Sequence, residues 1–314
     1  MIITQFPSRI SLSGGSTDQE DFLNKYGQGM VINFPCNIFN KIIIDIDKLG
    51  KNNYDNKYVI SYSKREEKTS IKQIKNDIVK ISLEYQNYSK KFTTIFLSDI
   101  NSVGSGLACS YAYTLSLNRA IEILKSKIIS DYERCCYCYE IEKKFNPKLG
   151  MQDTFGCGIS GLKCIYFKKD EMPKIEYLNM SLFDNFDMYL MYTGITRKST
   201  EVLKSLNFIN DNLLKTCEKF LACIHNNNYS KIMDLIKEGW KEKKQTSKMI
   251  VENSNLIEID TLLCEDKNIL SHKLCGAGNG GYFLFFVEKG IIPSYKNCIL
   301  VNPLENINYD LFIC

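Results

Sequence analysis

Residues 102–112, SVGSGLACSYA, decide how the middle of this chain folds. A strand pattern, TTIFLSD, precedes this stretch, and an apolar segment, YAYTLSLNRAIEILK, follows it. The first half of that segment is apolar on nearly every side, which predicts a buried helix that begins at the glycines. Unpaired N–H groups and the helix dipole allow a phosphate to bind at such a start. The stretch by itself leaves two interpretations open: a glycine turn before a core helix, or a phosphate-binding loop.

Two familiar phosphate-binding patterns are excluded for this stretch. A Walker A loop requires Gly-Lys followed by Ser or Thr, and no such tripeptide follows Gly104 or Gly106. The spacing is also not a clean GxGxxG motif. Evidence for a phosphate site must therefore come from elsewhere in the chain.

The length and composition are typical of a folded protein with one large domain or two ordinary ones. The chain has 314 residues, of which 44% are hydrophobic, and a net charge of +4 that does not favour nucleic acid or a membrane as a partner. No apolar run is long enough for a transmembrane helix. The thirteen cysteines lack the spacing of a zinc site, and we interpret them as buried thiols of a cytoplasmic protein.

The hydrophobic pattern indicates mixed strands and helices. Helices are predicted over 70–91, 199–224 and 229–252, and the charged run WKEKKQTSK at 240–248 is interpreted as a solvated helix face. Strands are predicted for MVINF, KIIIDID, KYVISYS, FTTIFLS, LKCIYF, FDMYLMY and YFLFFV. A change of structural unit is expected near 170–185, where the polar stretch KKDEMPK separates two strand patterns.

Three further glycine-rich segments favour the phosphate-binding interpretation. PSRISLSGGSTD occupies residues 7–18, GMQDTFGCGISG occupies 150–161, and KLCGAGNGGYFLFF occupies 273–286. The last of these places four glycines within six positions ahead of an apolar strand. A bulge or hairpin explains two of them, whereas close approach to a ligand or to another loop explains all four.

Taken in order, these segments resemble the three motifs of the GHMP kinase superfamily. PSRISLSGGSTD is similar to the first motif, GSGLACS to the second and KLCGAGNGG to the third. Within the superfamily, GMQDTFGCGISG and YTGITRKST are similar to segments of the D-glycero-D-manno-heptose 7-phosphate kinases. The resemblance covers nearly the whole chain.

The resemblance implies an α+β protein with the GHMP kinase fold. Residues 1–175 would form a ribosomal-S5-domain-2-like ATP-binding unit and residues 176–314 a ferredoxin-like unit, with ATP and the acceptor in the cleft between them. The implied reaction transfers the γ-phosphate of ATP to the anomeric hydroxyl of a sugar phosphate, converting D-glycero-D-manno-heptose 7-phosphate to the 1,7-bisphosphate. That product would supply nucleotide-activated heptose for surface polysaccharides. Whether the chain forms a homodimer stays open.

The resemblance also assigns the residues that would hold ATP and Mg²⁺. Mg²⁺ prefers oxygen ligands, and the matching positions are Ser110 and Glu142, with Glu140 as a rival for the carboxylate. Alternatively, Glu142 is an ordinary residue on a helix surface. The residues expected around the ATP phosphates are Gly104, Ser105, Gly106, Leu107, Ala108, Cys109 and Ser110.

The expected catalytic base is Asp153, because a sugar hydroxyl is a poor nucleophile unless a carboxylate takes its proton. Arg9 would lie beside Asp153, keep it ionised and offset charge on the transferred phosphoryl group. Asp18 would accept hydrogen bonds from sugar hydroxyls, although it also suits the N-cap of the next helix. Arg197 and Lys198 are candidates for a substrate phosphate, with a solvated loop as the alternative. The residues expected to bind the acceptor are Asp18, Gly15, Thr17, Gln152, Arg197, Lys198, Gly276, Gly278 and Gly280.

Three positions depart from the motifs. Ala108 replaces a glycine and Cys109 a serine in the second motif, and Asn279 replaces a glycine in the third. A methyl group at Ala108 could crowd the phosphates, so reduced ATP affinity and an altered nucleotide preference stay open. The alternatives to a sugar phosphate kinase are a kinase of a free sugar such as fucose or galactose, a ligand-sensing pseudokinase, and a binding module that needs no nucleotide.

Overall fold

The computed structural model describes residues 1–46, 56–196, 199–208 and 210–313. The elements follow one another as β1 Ile2–Ser13, α1 Glu20–Tyr26, β2 Gln28–Asp45, β3 Tyr58–Ser61, β4 Arg65–Lys68, α2 Asp77–Gln86, β5 Thr93–Ser98, α3 Cys109–Leu124, α4 Asp131–Lys143, α5 Gln152–Gly158, β6 Lys163–Lys168, β7 Lys174–Tyr177, β8 Phe186–Tyr192, α6 Ser199–Ser205, α7 Asn212–His225, α8 Ile232–Gln245, α9 Ser254–Glu265, β9 Ser271–Leu274, β10 Tyr282–Glu288, β11 Cys298–Val301 and β12 Asp310–Ile313.

The first sheet is built around the long strand β2. One end of β2 pairs with β5 and the other end with β6, both antiparallel, and β1 runs antiparallel along its other edge. The described strands lie in the order β12-β1-β2-β5-β3-β4, with β6 and β7 extending the other end of β2. Helices α3 and α5 pack on β1 and β2, because their apolar faces need cover that the sheet provides. This packing brings the start of α3 close to Arg9 on β1.

The second sheet has the order β11-β8-β10-β9 and is antiparallel throughout. One of its two inner strands, β10, reads YFLFFVE, and the first six residues of β10 are all buried, as expected for a strand that is covered on both faces. Helix α8 packs on β9 and α7, and α7 reaches β2 of the first sheet. One apolar core, which contains Ile10, Ile32 and Phe286, therefore joins the two sheets.

The structure corrects the predicted helices in three places. The helix expected over 70–91 is a short 3-10 turn at Ile71–Gln73 followed by α2, whose first turn is capped by the Asn76 side chain accepting from the Val79 N–H at 3.1 Å. The helix expected over 199–224 is two helices, α6 and α7. The helix expected over 229–252 is α8 with a short 3-10 segment at each end.

The division at residue 175 stays a prediction, and two strands do not follow a simple split there. Strand β7, Lys174–Tyr177, crosses the predicted boundary and pairs with β6. Strand β12, near the C-terminus, pairs antiparallel with β1 at the N-terminus. Pairing between strands so distant along the chain leaves no local signal in the sequence. Within the described ranges, no helix has both the length and the apolar character that crossing a membrane requires.

Candidate active site

A cleft between the two sheets collects the glycine-rich segments that the sequence singled out. Its walls come from β1 and the loop after it, the loop before α3, the start of α5, and the loop after β9. Helix α8 closes one side. Predicted site residues that line the cleft are Arg9, Gly15, Asp18, Gly104, Ser105, Gly106, Ala108, Cys109, Ser110, Gln152, Asp153 and Gly276.

The loop at 104–110 curls tightly and ends at the first turn of α3. Gly104 and Gly106 have φ of 64° and 78°, and Ala108, the N-cap residue of α3, has φ of 63°. The Ser105 hydroxyl accepts a hydrogen bond from the Leu107 N–H at 3.2 Å, which stabilises this tight turn. The start of a 16-residue helix thus lies in the wall of the cleft, as a phosphate-binding site requires.

The third glycine segment packs directly on this loop. A Cβ on Gly106 would lie 2.4 Å from the carbonyl oxygen of Cys275, and a Cβ on Gly281 would lie 2.4 Å from that of Ser105. Glycine is therefore needed on both sides of the contact. Gly276 lies in the cleft wall.

Replacing Gly106 by Ala is expected to lower the free energy of unfolding by about 2–5 kcal/mol, because a left-handed φ and a backbone overlap act together. Gly27 is a matched control, since its φ of 77° is nearly the same and a Cβ there has no neighbour within 4 Å. Gly27→Ala should therefore cost only about 1–2 kcal/mol. Urea unfolding of both variants measures the difference. Equal losses would show that the contact with Cys275 contributes nothing.

Gly278 and Gly280 are positioned differently from their predicted role. A Cβ on Gly278 would meet Ile250, and one on Gly280 would meet Ile195. Close packing against these two isoleucines therefore accounts for both glycines, and neither is among the residues that line the cleft. Thr17 is also buried away from the cleft, because its hydroxyl donates to the Met30 carbonyl at 2.8 Å and accepts from the Met30 N–H at 2.9 Å.

The structure brings Arg9 and Asp153 into direct contact, as the motifs suggested. The guanidinium donates to one Asp153 oxygen through Nε at 2.8 Å and through Nη2 at 2.5 Å, and Nη1 donates to the Gly106 carbonyl at 2.8 Å. Burial alone would lower the pKa of Arg9, but the Asp153 charge raises it above its ordinary value. Arg9 therefore stays charged and joins the loop at 104–110 to the Asp153 carboxylate.

Asp18 lies next to this pair and is buried. Its two oxygens accept from the Gln152 N–H at 2.9 Å and from the Gln152 side-chain amide at 2.6 Å. Burial raises the pKa of Asp18 to about 6, although the Gln152 N–H opposes the shift. The alternative role as a helix cap is wrong, because α1 begins at Glu20 with Gln19 as its N-cap.

The geometry separates the two glutamates that competed for the metal position. Glu140 is exposed, whereas Glu142 is buried and accepts hydrogen bonds from the hydroxyls of Ser110, at 3.0 Å, and Thr114. Burial raises the pKa of Glu142 to about 7, against the effect of these two hydroxyls. The buried Glu142 carboxylate and the Ser110 hydroxyl, at the end of the loop at 104–110, form an all-oxygen donor set that would fit Mg²⁺ with waters as further ligands.

The departures from the motifs are accommodated with little disturbance. The Cys109 thiol points into the interior, 3.2 Å from the Ser105 hydroxyl and 3.6 Å from that of Ser8, and burial raises its pKa. Ala108 adopts the left-handed conformation that a glycine would take, at a cost of about 1–2 kcal/mol. Asn279 has φ of 59°, which asparagine tolerates well.

Several cleft residues were missed by the sequence analysis, and two predicted ones cannot be placed. Arg197 and Lys198 lie outside the described residues. Trp240 and Lys243 line the cleft although their segment was interpreted as a solvated face. Lys273 donates to the carbonyls of Ser11 and Leu12, and burial lowers its pKa to about 8. The signal that could have found Trp240 and Lys243 is their spacing of three, which puts both on one helix face.

Comparison with solved structures identifies the fold. Phosphomevalonate kinase of Streptococcus pneumoniae, in complex with phosphomevalonate and AMPPNP, superposes with a TM-score of 0.74 at 12% identity over 92% of this chain and 93% of that one. A D-glycero-D-manno-heptose 1-phosphate kinase from Bacteroides thetaiotaomicron superposes with a TM-score of 0.70 at 18% identity over 92% of this chain and 89% of that one. The chain therefore has the GHMP kinase fold, which confirms the fold predicted from its motifs.

Comparison with curated protein sequences finds one relative that is a heptose phosphate kinase. The D-glycero-alpha-D-manno-heptose 7-phosphate kinase of Campylobacter jejuni is 26% identical over 91% of this chain and 89% of its own length. No protein-family model matches the chain. The predicted likeness to the heptose 7-phosphate kinases within the GHMP superfamily is confirmed by this similarity.

Proposed function

We propose that this protein is a kinase that uses Mg·ATP to phosphorylate the anomeric hydroxyl of a sugar phosphate. The observation that carries the proposal is the contact of Arg9 with both Asp153 and the carbonyl of Gly106. This contact holds the Asp153 carboxylate, our proposed base, beside a loop whose glycines and helix start suit the phosphates of ATP. The relatives named above, which include a complex with an ATP analogue, support the same chemistry.

The roles of the residues follow from where they lie. The Asp153 carboxylate would accept the proton of the attacking hydroxyl, and Arg9 would hold that carboxylate in place while offsetting negative charge on the transferred group. The N–H groups at the start of α3 would bind the ATP phosphates. Ser110 and Glu142 would hold Mg²⁺, which when bound neutralises phosphate charge. Asp18, oriented by Gln152, would accept hydrogen bonds from the sugar.

D-glycero-D-manno-heptose 7-phosphate is the acceptor we propose, with the 1,7-bisphosphate as product. The name of the C. jejuni relative and the two segments GMQDTFGCGISG and YTGITRKST support this choice. The product would feed nucleotide-activated heptose for capsule or lipopolysaccharide synthesis. None of the twelve cysteines among the described residues forms a disulfide, which suits the reducing cytoplasm that the proposal includes.

The test is ADP release with Mg·ATP against a panel of acceptors. The panel contains heptose 7-phosphate, hexose 6-phosphates, and the free sugars heptose, fucose and galactose. Turnover confined to heptose 7-phosphate is expected. Turnover only on free sugars would keep the mechanism and contradict the acceptor. No turnover, with Mg·ATP still raising the melting temperature, would contradict the kinase proposal and favour a ligand-sensing pseudokinase.

A further inference from the structure

Helix α8 presents one face to the cleft, and that face carries a buried lysine. Gly239, Trp240 and Lys243 all line the cleft, whereas Lys241 and Lys244 on the same helix are exposed. Lysine is rarely this deeply buried unless its ammonium group has polar contacts. The Lys243 ammonium donates to the Ser16 hydroxyl of the loop that follows β1.

The neighbouring tryptophan is held rigidly, which fixes this face of α8. The Trp240 indole N–H donates to Asp260 on α9 at 2.7 Å, and Asp260 also contacts His272 at 2.9 Å and Lys244 at 2.7 Å. Although burial by itself raises the pKa of Asp260, these three partners lower it to about 2. An ionised Asp260 thus anchors the part of α8 from which Lys243 reaches the cleft.

A series of hydrogen bonds connects the polar groups of the cleft. The phosphate loop is joined to Arg9 through Gly106, and Arg9 is joined to Asp153. The adjacent Gln152 is bonded to Asp18, and two residues before Asp18 lies Ser16, the partner of Lys243. Lys243 therefore contacts the same loop after β1 that carries Asp18, the carboxylate proposed to face the sugar.

The charges of the described lining residues favour an anion in this cleft. Arg9, Lys243 and Lys273 supply positive charge, whereas Asp18 and Asp153 supply negative charge. Arg9 is paired with Asp153, and Lys273 donates to two main-chain carbonyls of β1. Lys243 is the lining cation that contacts Ser16, and an ammonium group with three N–H donors can bind Ser16 and a phosphate oxygen together.

We propose that Lys243 binds the phosphate that the acceptor sugar carries remote from its reacting hydroxyl, and so makes the enzyme prefer phosphorylated acceptors. This inference rests on the proposed sugar phosphate kinase function and specifies the acceptor end of the same site. The acceptor would lie with its anomeric hydroxyl at Asp153, its ring hydroxyls at Asp18, and its phosphate at Lys243 and Ser16.

The test compares Lys243→Met and Lys243→Gln with the wild-type enzyme on heptose 7-phosphate and on heptose itself. Loss of a charge-assisted hydrogen bond should raise the KM for heptose 7-phosphate by roughly 10- to 100-fold. The KM for Mg·ATP and kcat/KM for heptose should stay within about threefold. Lys241→Met is the matched control on the exposed side of α8 and should behave as wild type. Lys243→Gln retains a donor to Ser16, so it serves if Lys243→Met fails to fold.

Three outcomes would overturn the assignment of Lys243. An equal loss on both sugars would show that Lys243 only supports the Ser16 loop, and a loss confined to Mg·ATP would assign it to the nucleotide. A binding experiment tests Lys243 even if the wild-type enzyme phosphorylates nothing and the proposed function fails. Trp240 is the single tryptophan of the chain, so its fluorescence reports the binding of heptose 7-phosphate directly. A saturable change that both Lys243 variants weaken supports the inference, and a change they leave unaltered overturns it.

Discussion

Replacing Asp153 by Asn is expected to lower kcat for the sugar phosphate by about 10²- to 10⁴-fold, the range in which general bases contribute. The substitution keeps the shape of the side chain and its contact with the Arg9 guanidinium. It removes the one group in the Arg9 contact that could take the proton of the attacking hydroxyl. Because the ATP phosphates are expected at the start of α3, the Kd for Mg·ATP should change by about threefold or less.

Two further variants make this expectation specific. Asp21→Asn alters an exposed carboxylate on α1 that pairs with Lys148, and it should leave kcat unchanged. Asp18→Asn should mainly raise the KM of the acceptor, because Asp18 is expected to contact sugar hydroxyls rather than the transferred proton. Rapid-quench measurement of a single turnover separates chemistry from product release. A single-turnover rate that stays near wild type in Asp153→Asn would exclude Asp153 as the base.

The parts of the site that could be predicted are those encoded by local backbone requirements. Glycines at 104 and 106 followed by an apolar helix specify a loop and a helix start, and the structure has both. Glycines in the second and third motif segments also predict a partner that approaches the backbone closely. Gly106 and Gly281 show that partner to be a second loop of the same chain, which explains glycines that a ligand alone would not require.

What could not be predicted depends on which face of an element turns inward. Glu140 and Glu142 are two residues apart on α4, and only tertiary packing decides which carboxylate meets Ser110. The same holds for Lys243, whose run of charges is typical of a solvated surface until α8 docks beside the Ser16 loop. For Gly278 and Gly280 the sequence pattern predicted a ligand-binding role that packing explains instead. Close contact with Ile250 and Ile195 requires glycine as strictly as a ligand does.

Replacing Glu142 by Gln is expected to raise the Mg²⁺ concentration needed for half-maximal activity and to lower kcat/KM for Mg·ATP by about 10²-fold or more. Glu142 on α4 is buried and contacts Ser110 in the first turn of α3, and an amide cannot replace its charge toward a cation. Glu140→Gln is the matched control, because Glu140 lies on the same helix and is exposed. Titration of activity with Mg²⁺ at fixed ATP measures both variants, and similar curves for the two would assign the metal to other residues.

The same substitution should alter how the metal-free protein responds to pH. Burial raises the pKa of Glu142 to about 7 from an ordinary value of 4.5. Between these two pH values, the folded protein therefore keeps a proton on Glu142 that the unfolded chain has released. Stability from this group is therefore complete below about pH 4.5 and is lost as pH rises towards 7, by up to about 1.4 kcal/mol per pH unit. Asp18 acts in the same direction up to about pH 6, where burial has placed its pKa.

Melting temperatures from pH 4.5 to pH 8, measured without metal, test this expectation. The wild-type melting temperature should fall more steeply between pH 6 and pH 7 than that of Glu142→Gln, because Asp18 has largely titrated by then and Glu142 has not. Mg·ATP should reverse the trend in the wild-type enzyme, since a cation favours the ionised carboxylate and is bound more tightly as protons leave. Parallel curves for the two proteins would show that Glu142 is ionised without the metal and would remove the physical reason for coupling its proton to Mg²⁺.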